Sequence, residues 1–280
     1  MGIRIITDST SDISVKHAAE LNITVVPLKV IFGEKEYKEG IDITIGGFYE
    51  KLAEAEQLPT TSQPSPDEFL KYFKEGKEAG DSIIVLVIAS KLSGTYQSAM
   101  IAKEMAEYDD IHIIDSNTTT CALRILVEQA VKLRDEGVSA EEIVAALMNL
   151  RDRVVLIAMV DTLEYLHKGG RLSKSSTILG TLLRFKPIIN VKDGVIGVLG
   201  KERGVNKAIG RVADEIDVFG DIDTSYPVHL GYTAQDEQCR LLKDKLRDKY
   251  GLNDLIMHPV GCVVGTHAGP GACMVTYVKK

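Results

Sequence analysis

The chain of 280 residues contains no run approaching about 18 consecutive apolar side chains, so nothing in it reads as a membrane-spanning helix and no stable membrane insertion is expected. Its start lacks a charged leader followed by an apolar core: Met1 leads directly into Arg4-Ile5-Ile6-Thr7, which reads as a strand. Cysteine is sparse. Cys121, Cys239, Cys262 and Cys273 are scattered rather than framed, which argues against a disulfide scaffold and fits a reducing, cytoplasmic setting. Cys262 and Cys273 bracket His267, but their spacing matches no zinc pattern and both lie in apolar runs, so no metal is expected. Basic charge is not in excess. With 33 Lys and Arg against 40 Asp and Glu, the net charge of −7 excludes a nucleic-acid binder that relies on a broad basic face. There is no GxxxxGK[ST] loop and no GxGxxG, hence no self-sufficient nucleotide site and no expected cofactor. The G-x-S-x-G elbow of an α/β hydrolase is missing as well, as are internal repeats, low-complexity tracts and long linkers.

What is present suits a two-domain α/β protein. Hydrophobic residues make up 45% and charged residues 26%, enough for a sizeable core. The first half follows βαβ grammar: strand Arg4–Thr7, helix Ser14–Leu21, strand Ile23–Phe32, then a helix capped by Thr44 and a polar loop over Gln57–Pro64. Ser65, Pro66, Asp67 and Glu68 form a capping box with proline at the first helical position, so a helix must start there. Ser82–Ala89 is too continuously apolar to be exposed on either side, as expected of a central parallel strand. A helix to about Tyr108, a strand Ile111–Ile114 and a long helix through Leu133 follow, and Ser139-Ala140-Glu141-Glu142 opens another helix. Three strands thus run into hydroxyl-rich turns at Asp8–Asp12, Ser90–Tyr96 and Asp115–Thr120, the carboxyl edge where open α/β sheets bind ligands.

The second half is patterned differently, which sets the expected boundary at 1–150 and 151–280. A strand, Val154–Val160, leads into a short helix stopped by Gly169 and Gly170, and a further helix is expected through Ile178 and Leu182. Asp193-Gly194 joins two strands as a hairpin. A helix to Val218, a strand Val228–Tyr232, a helix to Tyr250 and a final strand pair complete a mixed sheet with helices. His267 is expected at the tip of the loop Gly265–Ala272 between that last pair.

The polar edge offers hydroxyls, amides and one histidine, with few carboxylates. Ser93-Gly94-Thr95 at a helix start can donate to an anion, Thr61-Ser62 can fold over the same edge, and His267 can act as donor or base. Each has a plainer reading: Ser93 as a helix cap, Thr61 as a turn residue, His267 bonded to its own turn. Asp8 and Asp115 invite a Mg2+ reading, but turn-capping carboxylates explain them more simply. Arg171 and Arg203 sit beside glycines in loops, where an arginine can neutralise a phosphate, meet an acidic partner, or do nothing specific.

Taken together, the segments Thr7–Asp12, Thr61–Ser65, Ser93–Tyr96, Asp115-Ser116, Gly169–Ser173, Lys186-Pro187-Ile188, Arg203-Gly204 and Gly265–Gly271 resemble the DegV family of bacterial fatty-acid-binding proteins over essentially the full chain. The resemblance implies two intertwined α/β domains with a long-chain fatty acid in a tunnel between them. Its carboxylate would be held by Thr61, Ser62, Ser93, the amide of Gly94 and His267, with Arg171, Arg203 and Thr266 at the head group or a docking face. Some family members are the acyl-binding subunit of a two-component fatty acid kinase, whose partner uses ATP to make acyl phosphate for phospholipid synthesis. A non-catalytic lipid-binding subunit is therefore expected. The alternatives are a serine acyl hydrolase or transferase using Ser93 and His267, and a fatty-acid-sensing regulatory module. One departure stands out: after Asp115-Ser116 the family usually has a small, Gly-containing run, whereas this chain has Asn117-Thr118-Thr119-Thr120, which can narrow or redirect the tunnel.

Overall fold

The structure, a computed structural model, describes residues 2–172 and 185–280; the helix expected through Ile178 and Leu182, and Ser173, lie outside the described residues. Strand β1 (Ile3–Asp8) enters a 3-10 turn and is followed by α1 (Val15–Glu20), β2 (Thr24–Val26), β3 (Lys29–Phe32) and β4 (Lys35–Lys38). Then come α2 (Ile45–Glu54), β5 (Thr60–Ser62), α3 (Pro66–Ala79), β6 (Ser82–Val87), α4 (Thr95–Ala106), β7 (Ile111–Asp115), α5 (Thr120–Asp135) and α6 (Ala140–Arg151). The remainder comprises β8 (Val154–Met159), α7 (Glu164–Lys168), β9 (Phe185–Lys192), β10 (Val195–Arg203), α8 (Val205–Phe219), β11 (Val228–Tyr232), α9 (Glu237–Tyr250), β12 (Leu255–Pro259), α10 (Cys262–Ala268) and β13 (Cys273–Val278).

The first sheet has the order β2-β1-β6-β7 and is parallel throughout. Its central strand alternates faces, as a pleated strand must: Ile83, Val85 and Val87 pack with Phe69, Phe73, Ala99 and Ala102 of α3 and α4, while Ile84 and Leu86 pack with α5 and α6. The second sheet, β10-β9-β8-β13-β11-β12, is mixed. Val155, Ile157 and Met159 of β8 join the core under α8 and α9, and Leu156 and Ala158 face the other way. Between the sheets lies α5, which touches β1 and β6 on one side and β8, β11 and β13 on the other. A helix buried from both sides needs apolar residues all round, and α5 supplies them from Cys121 to Val131.

Three local expectations are corrected. The run Ile23–Phe32 is two strands, because Pro27 has no N–H for a ladder; β2 joins the parallel sheet, and β3 turns away into a small sheet of order β4-β3-β5. The loop at Gln57–Pro64 contains β5, whose partner β3 lies some thirty residues upstream, with Thr61 opposite Val30. The last two strands do not pair with each other: β12 and β13 flank β11, and the segment between them carries α10 rather than a hairpin tip.

Candidate functional site: a cavity with a polar end wall

The carboxyl edge of the parallel sheet is tied by its own aspartates. Asp8 Oδ2 accepts from the Ile88 amide at 2.7 Å and Oδ1 from the Thr10 amide at 2.8 Å, joining the ends of β1 and β6. Asp115 Oδ1 accepts from Ser90 and Asn117 amides, each at 3.1 Å. Both carboxylates are thus occupied as caps. The turns they hold border a cavity of about 220 Å³, far above the about 10–15 Å³ that one water requires.

Most of the cavity wall is apolar. Leu156, Ala158 and Val160 from the β8 segment, Ile189 and Val191 from β9, Ile196 from β10 and Met274 from β13 form one side, with Leu28, Ile88, Leu92 and Val263 opposite. Apart from Thr119 and Thr120, the polar groups collect at one end: Thr61, Ser62, Gln63, Ser93, Arg171 and His267 all line it. His267 Nε2 is 2.9 Å from Thr61 Oγ1, across 206 residues of chain. The other ring nitrogen, Nδ1, is buried without a partner among the described residues, and a Cβ at Gly169 would overlap it, so the Gly169 backbone lies close against the ring. A buried orphan N–H is rarer than an orphan lone pair, which assigns the proton to Nε2. His267 then donates to Thr61 Oγ1, leaving the threonine hydrogen free for an acceptor in the cavity.

Burial, and then the Arg171 charge, push the His267 pKa down to about 4, so the ring is neutral at ordinary pH. A 15N-NMR titration of the imidazole is expected to show it neutral down to about pH 4; a midpoint near 6.5 would contradict this environment. Ser93 Oγ sits 2.9 Å from Thr95 Oγ1 at the start of α4, and Gly94 is that helix's N-cap, so the positive end of the helix dipole adjoins the polar end wall. The Gly94 Cα packs against the Gln63 amide, which would have to move aside for a Cβ. Arg171 donates from Nε to Leu92 O at 3.1 Å and from Nη1 to Gly169 O at 2.6 Å, bridging the two halves of the chain.

The same wall has an outer side. A second pocket, lined by Thr60, Tyr165, Lys168, Gly169 and Thr266, shares Thr61, Arg171 and His267 with the cavity. These three residues therefore separate an apolar interior from a polar vestibule. Thr266 borders that vestibule, but it is buried and its hydroxyl donates to Cys262 O at 2.9 Å. Arg203 is not brought to the site: it is exposed at the end of β10, opposite Phe185. Thr119 and Thr120, from the run expected to narrow or redirect the tunnel, line the cavity. Thr120 adopts φ +51° and Asn117 φ +55°, the left-handed region that glycine enters freely and a β-branched residue does not.

The model of the family described as "Uncharacterised protein, DegV family" matches residues 2–280. The chain belongs to the DegV family. Among its relatives, a DegV domain-containing protein of Caldanaerobacter subterraneus is 38% identical over 278 residues, covering 99% of each chain. A DegV-family protein of Thermus thermophilus, whose structure was described for its fatty acid binding, superposes with a TM-score of 0.90 at 31% identity, covering 99% of this chain and 100% of that one. The Streptococcus pneumoniae fatty acid kinase (Fak) B3 protein, loaded with linoleic acid, superposes with a TM-score of 0.86 at 25% identity over 100% of both chains. The mixed α/β architecture expected from the sequence is thus that of the DegV family, with a parallel and a mixed sheet. Among the described residues no helix is long and apolar enough to cross a membrane.

Proposed function

We propose that this DegV-family protein binds a long-chain fatty acid in the cavity between its 1–150 and 151–280 units and presents the carboxylate to a partner ATP-dependent fatty acid kinase. The observation that carries this reading is the Thr61–His267 pair set in the polar end of an otherwise apolar cavity. The threonine hydroxyl, polarised by the histidine donor, gives a hydrogen bond to one carboxylate oxygen. Ser93, Ser62 and the Gly94 amide at the α4 N-terminus hold the rest of the head group, and Arg171 supplies positive charge from the wall itself. Burying a tail of about sixteen carbons at roughly 0.8 kcal/mol per methylene gives on the order of 12 kcal/mol before ordering costs, so affinity comes from the tail. The clamp need only orient.

A carboxylate oxygen directed toward the vestibule attacks the terminal phosphorus of ATP held by the kinase; an O–P bond forms, ADP leaves, and acyl phosphate remains. Arg203, exposed on β10, and the rim around Thr266 are assigned to the docking face. The hydrolase reading fares worse. Ser93 pairs with Thr95, His267 with Thr61, and among the described residues His267 Nδ1 has no carboxylate to orient it.

Native mass spectrometry of the purified protein is expected to detect one bound fatty acid per chain, and the loaded protein with ATP and kinase to yield acyl phosphate. Thr61→Val keeps the shape and removes one hydrogen bond to a charged group, worth about 1.5–3 kcal/mol. Product formation should fall roughly 10- to 100-fold. A protein that is empty and refuses added fatty acid would sink the proposal, whereas binding without acyl phosphate would favour a fatty-acid-sensing module.

A further inference from the structure

The helix carrying His267 has no local N-cap, since Gly261 has no side chain to fold back. Its first amides are met instead by two carboxylates from distant parts of the chain. Gly261 N donates to Asp12 Oδ1 at 2.9 Å, and Val263 N to Glu39 Oε1 at 3.0 Å. Glu39 is 7% exposed; Asp12 is half-buried as a residue, with its Oδ2 sealed from water. Two negative charges in one dry site are costly. Burial first, and then the Glu39 charge, hold Asp12 well above the carboxylate range; burial pushes Glu39 up to about 7. Asp8, the Tyr49 hydroxyl, the Cys121 and Cys262 thiols and Arg124 are among the ionisable surroundings of the pair. Such an arrangement persists only where something else depends on it.

Along α10, Gly261, Gly265 and Gly269 recur every fourth residue and so share one face. Each marks a close approach. A Cβ at Gly261 would overlap Glu39 and lie 3.0 Å from Asp12 Oδ1, one at Gly265 would lie 2.5 Å from the Tyr49 hydroxyl, and one at Gly269 would overlap the Tyr165 ring. Tyr49 also donates to Val260 O at 3.2 Å. The helix is therefore seated along its whole length, and its depth is set at the carboxylate end. His267 lies at the other end, one ring-width from Gly169.

We infer that Asp12 and Glu39 are positioning residues for His267: they hold α10 at the depth where the imidazole meets Thr61. The inference rests on the clamp reading of that pair, and its test begins on the ligand-free protein so that the two can fail separately. Full-length Asp12→Ala, Glu39→Ala and the milder Glu39→Asp, which withdraws the acceptor by one methylene, are compared with Glu39→Gln, which keeps an acceptor oxygen. The readouts are the His267 titration midpoint by 15N NMR and palmitate affinity. Both Ala variants and Glu39→Asp are expected to raise the midpoint from about 4 toward 6.5 by at least one unit and to weaken palmitate at least tenfold; Glu39→Gln should stay near wild type. Should the Ala variants not fold, Glu39→Asp decides. A folded Glu39→Asp protein with unchanged midpoint and affinity overturns the inference. A shifted midpoint in the variants, when the wild-type protein itself binds no palmitate, upholds the positioning role and removes the fatty-acid reading instead.

Discussion

Replacing Ala158 with phenylalanine is expected to weaken fatty-acid binding by about two orders of magnitude while the chain stays folded. Ala158 is 2% exposed, points from β8 into the cavity between Leu156 and Val160, and lies in register with Ile189 on one side and Met274 on the other. Its smallness leaves open the middle of a wall otherwise built of Leu, Ile, Val and Met. A phenyl ring there enters empty volume, so the strain of about 1–3 kcal/mol usual for overpacking is largely avoided. It takes the place of about four methylenes of the tail, and at roughly 0.8 kcal/mol each the loss is near 3 kcal/mol, about 200-fold in Kd. Isothermal titration with palmitate, alongside thermal unfolding, measures both parts. A folded variant with wild-type affinity would mean that the tail does not run past β8, and the cavity would lose its proposed occupant.

The parts of this molecule that were legible in its sequence are those whose determinants are local. The box Ser65-Pro66-Asp67-Glu68 starts α3 where expected, Ser139 and Glu142 start α6, and Asp193-Gly194, with φ of +51° and +74°, closes the β9–β10 hairpin. The unbroken run Ser82–Val87 is indeed central to the parallel sheet. What could not be read locally is α10. Its glycines read as a loop between two strands, because the groups that make it a helix, Asp12 and Glu39, are more than two hundred residues away. The strand at Thr60–Ser62 was hidden for the same reason: its ladder partner, not its own composition, makes it a strand. The site divides along this line too. Thr61, Ser62, Ser93, Arg171 and His267 stand in polar turns or glycine-rich segments that draw attention in isolation, and the fold brings them to one wall. The apolar lining comes from strands that look like any buried strand.

Removing the Glu128 carboxylate is expected to produce a large stability loss. Arg124 and Glu128 lie on α5, His229 on β11 and His258 on β12, so they join the helix between the sheets to the mixed sheet. Their protons can be assigned in one direction. Arg124 Nη1 donates to His258 Nδ1 at 3.1 Å, His258 Nε2 to His229 Nδ1 at 3.0 Å, and His229 Nε2 to Glu128 Oε2 at 3.0 Å, while Arg124 Nε closes the ring on Glu128 Oε1 at 2.7 Å. Only the carboxylate accepts at the end of both paths. Burial alone would raise Glu128, but the hydrogen bonds from His229 and Arg124 and the Arg124 charge overcome it and hold the carboxyl down at about 2. Glu128→Leu strands a buried arginine and an imidazole donor, a loss of about 3 kcal/mol, the low end of the usual range because Glu128 keeps 23% of its side chain exposed. Thermal unfolding should shift down by about 5 °C in a chain of this length. Glu128→Gln should lose less, and its deficit should depend on pH in a fixed sense. A carboxyl with a depressed folded pKa stabilises above its unfolded value of about 4.5 and loses that contribution as pH falls toward about 2. The gap between wild type and Glu128→Gln is therefore expected to narrow from pH 6 to pH 3. A gap that stays constant or widens would show that the charge of Glu128 is not what the ring is built around. Because Arg124 Nη1 also donates to Asp12 O at 3.3 Å, loosening this ring reaches the residue that caps α10, and with it His267.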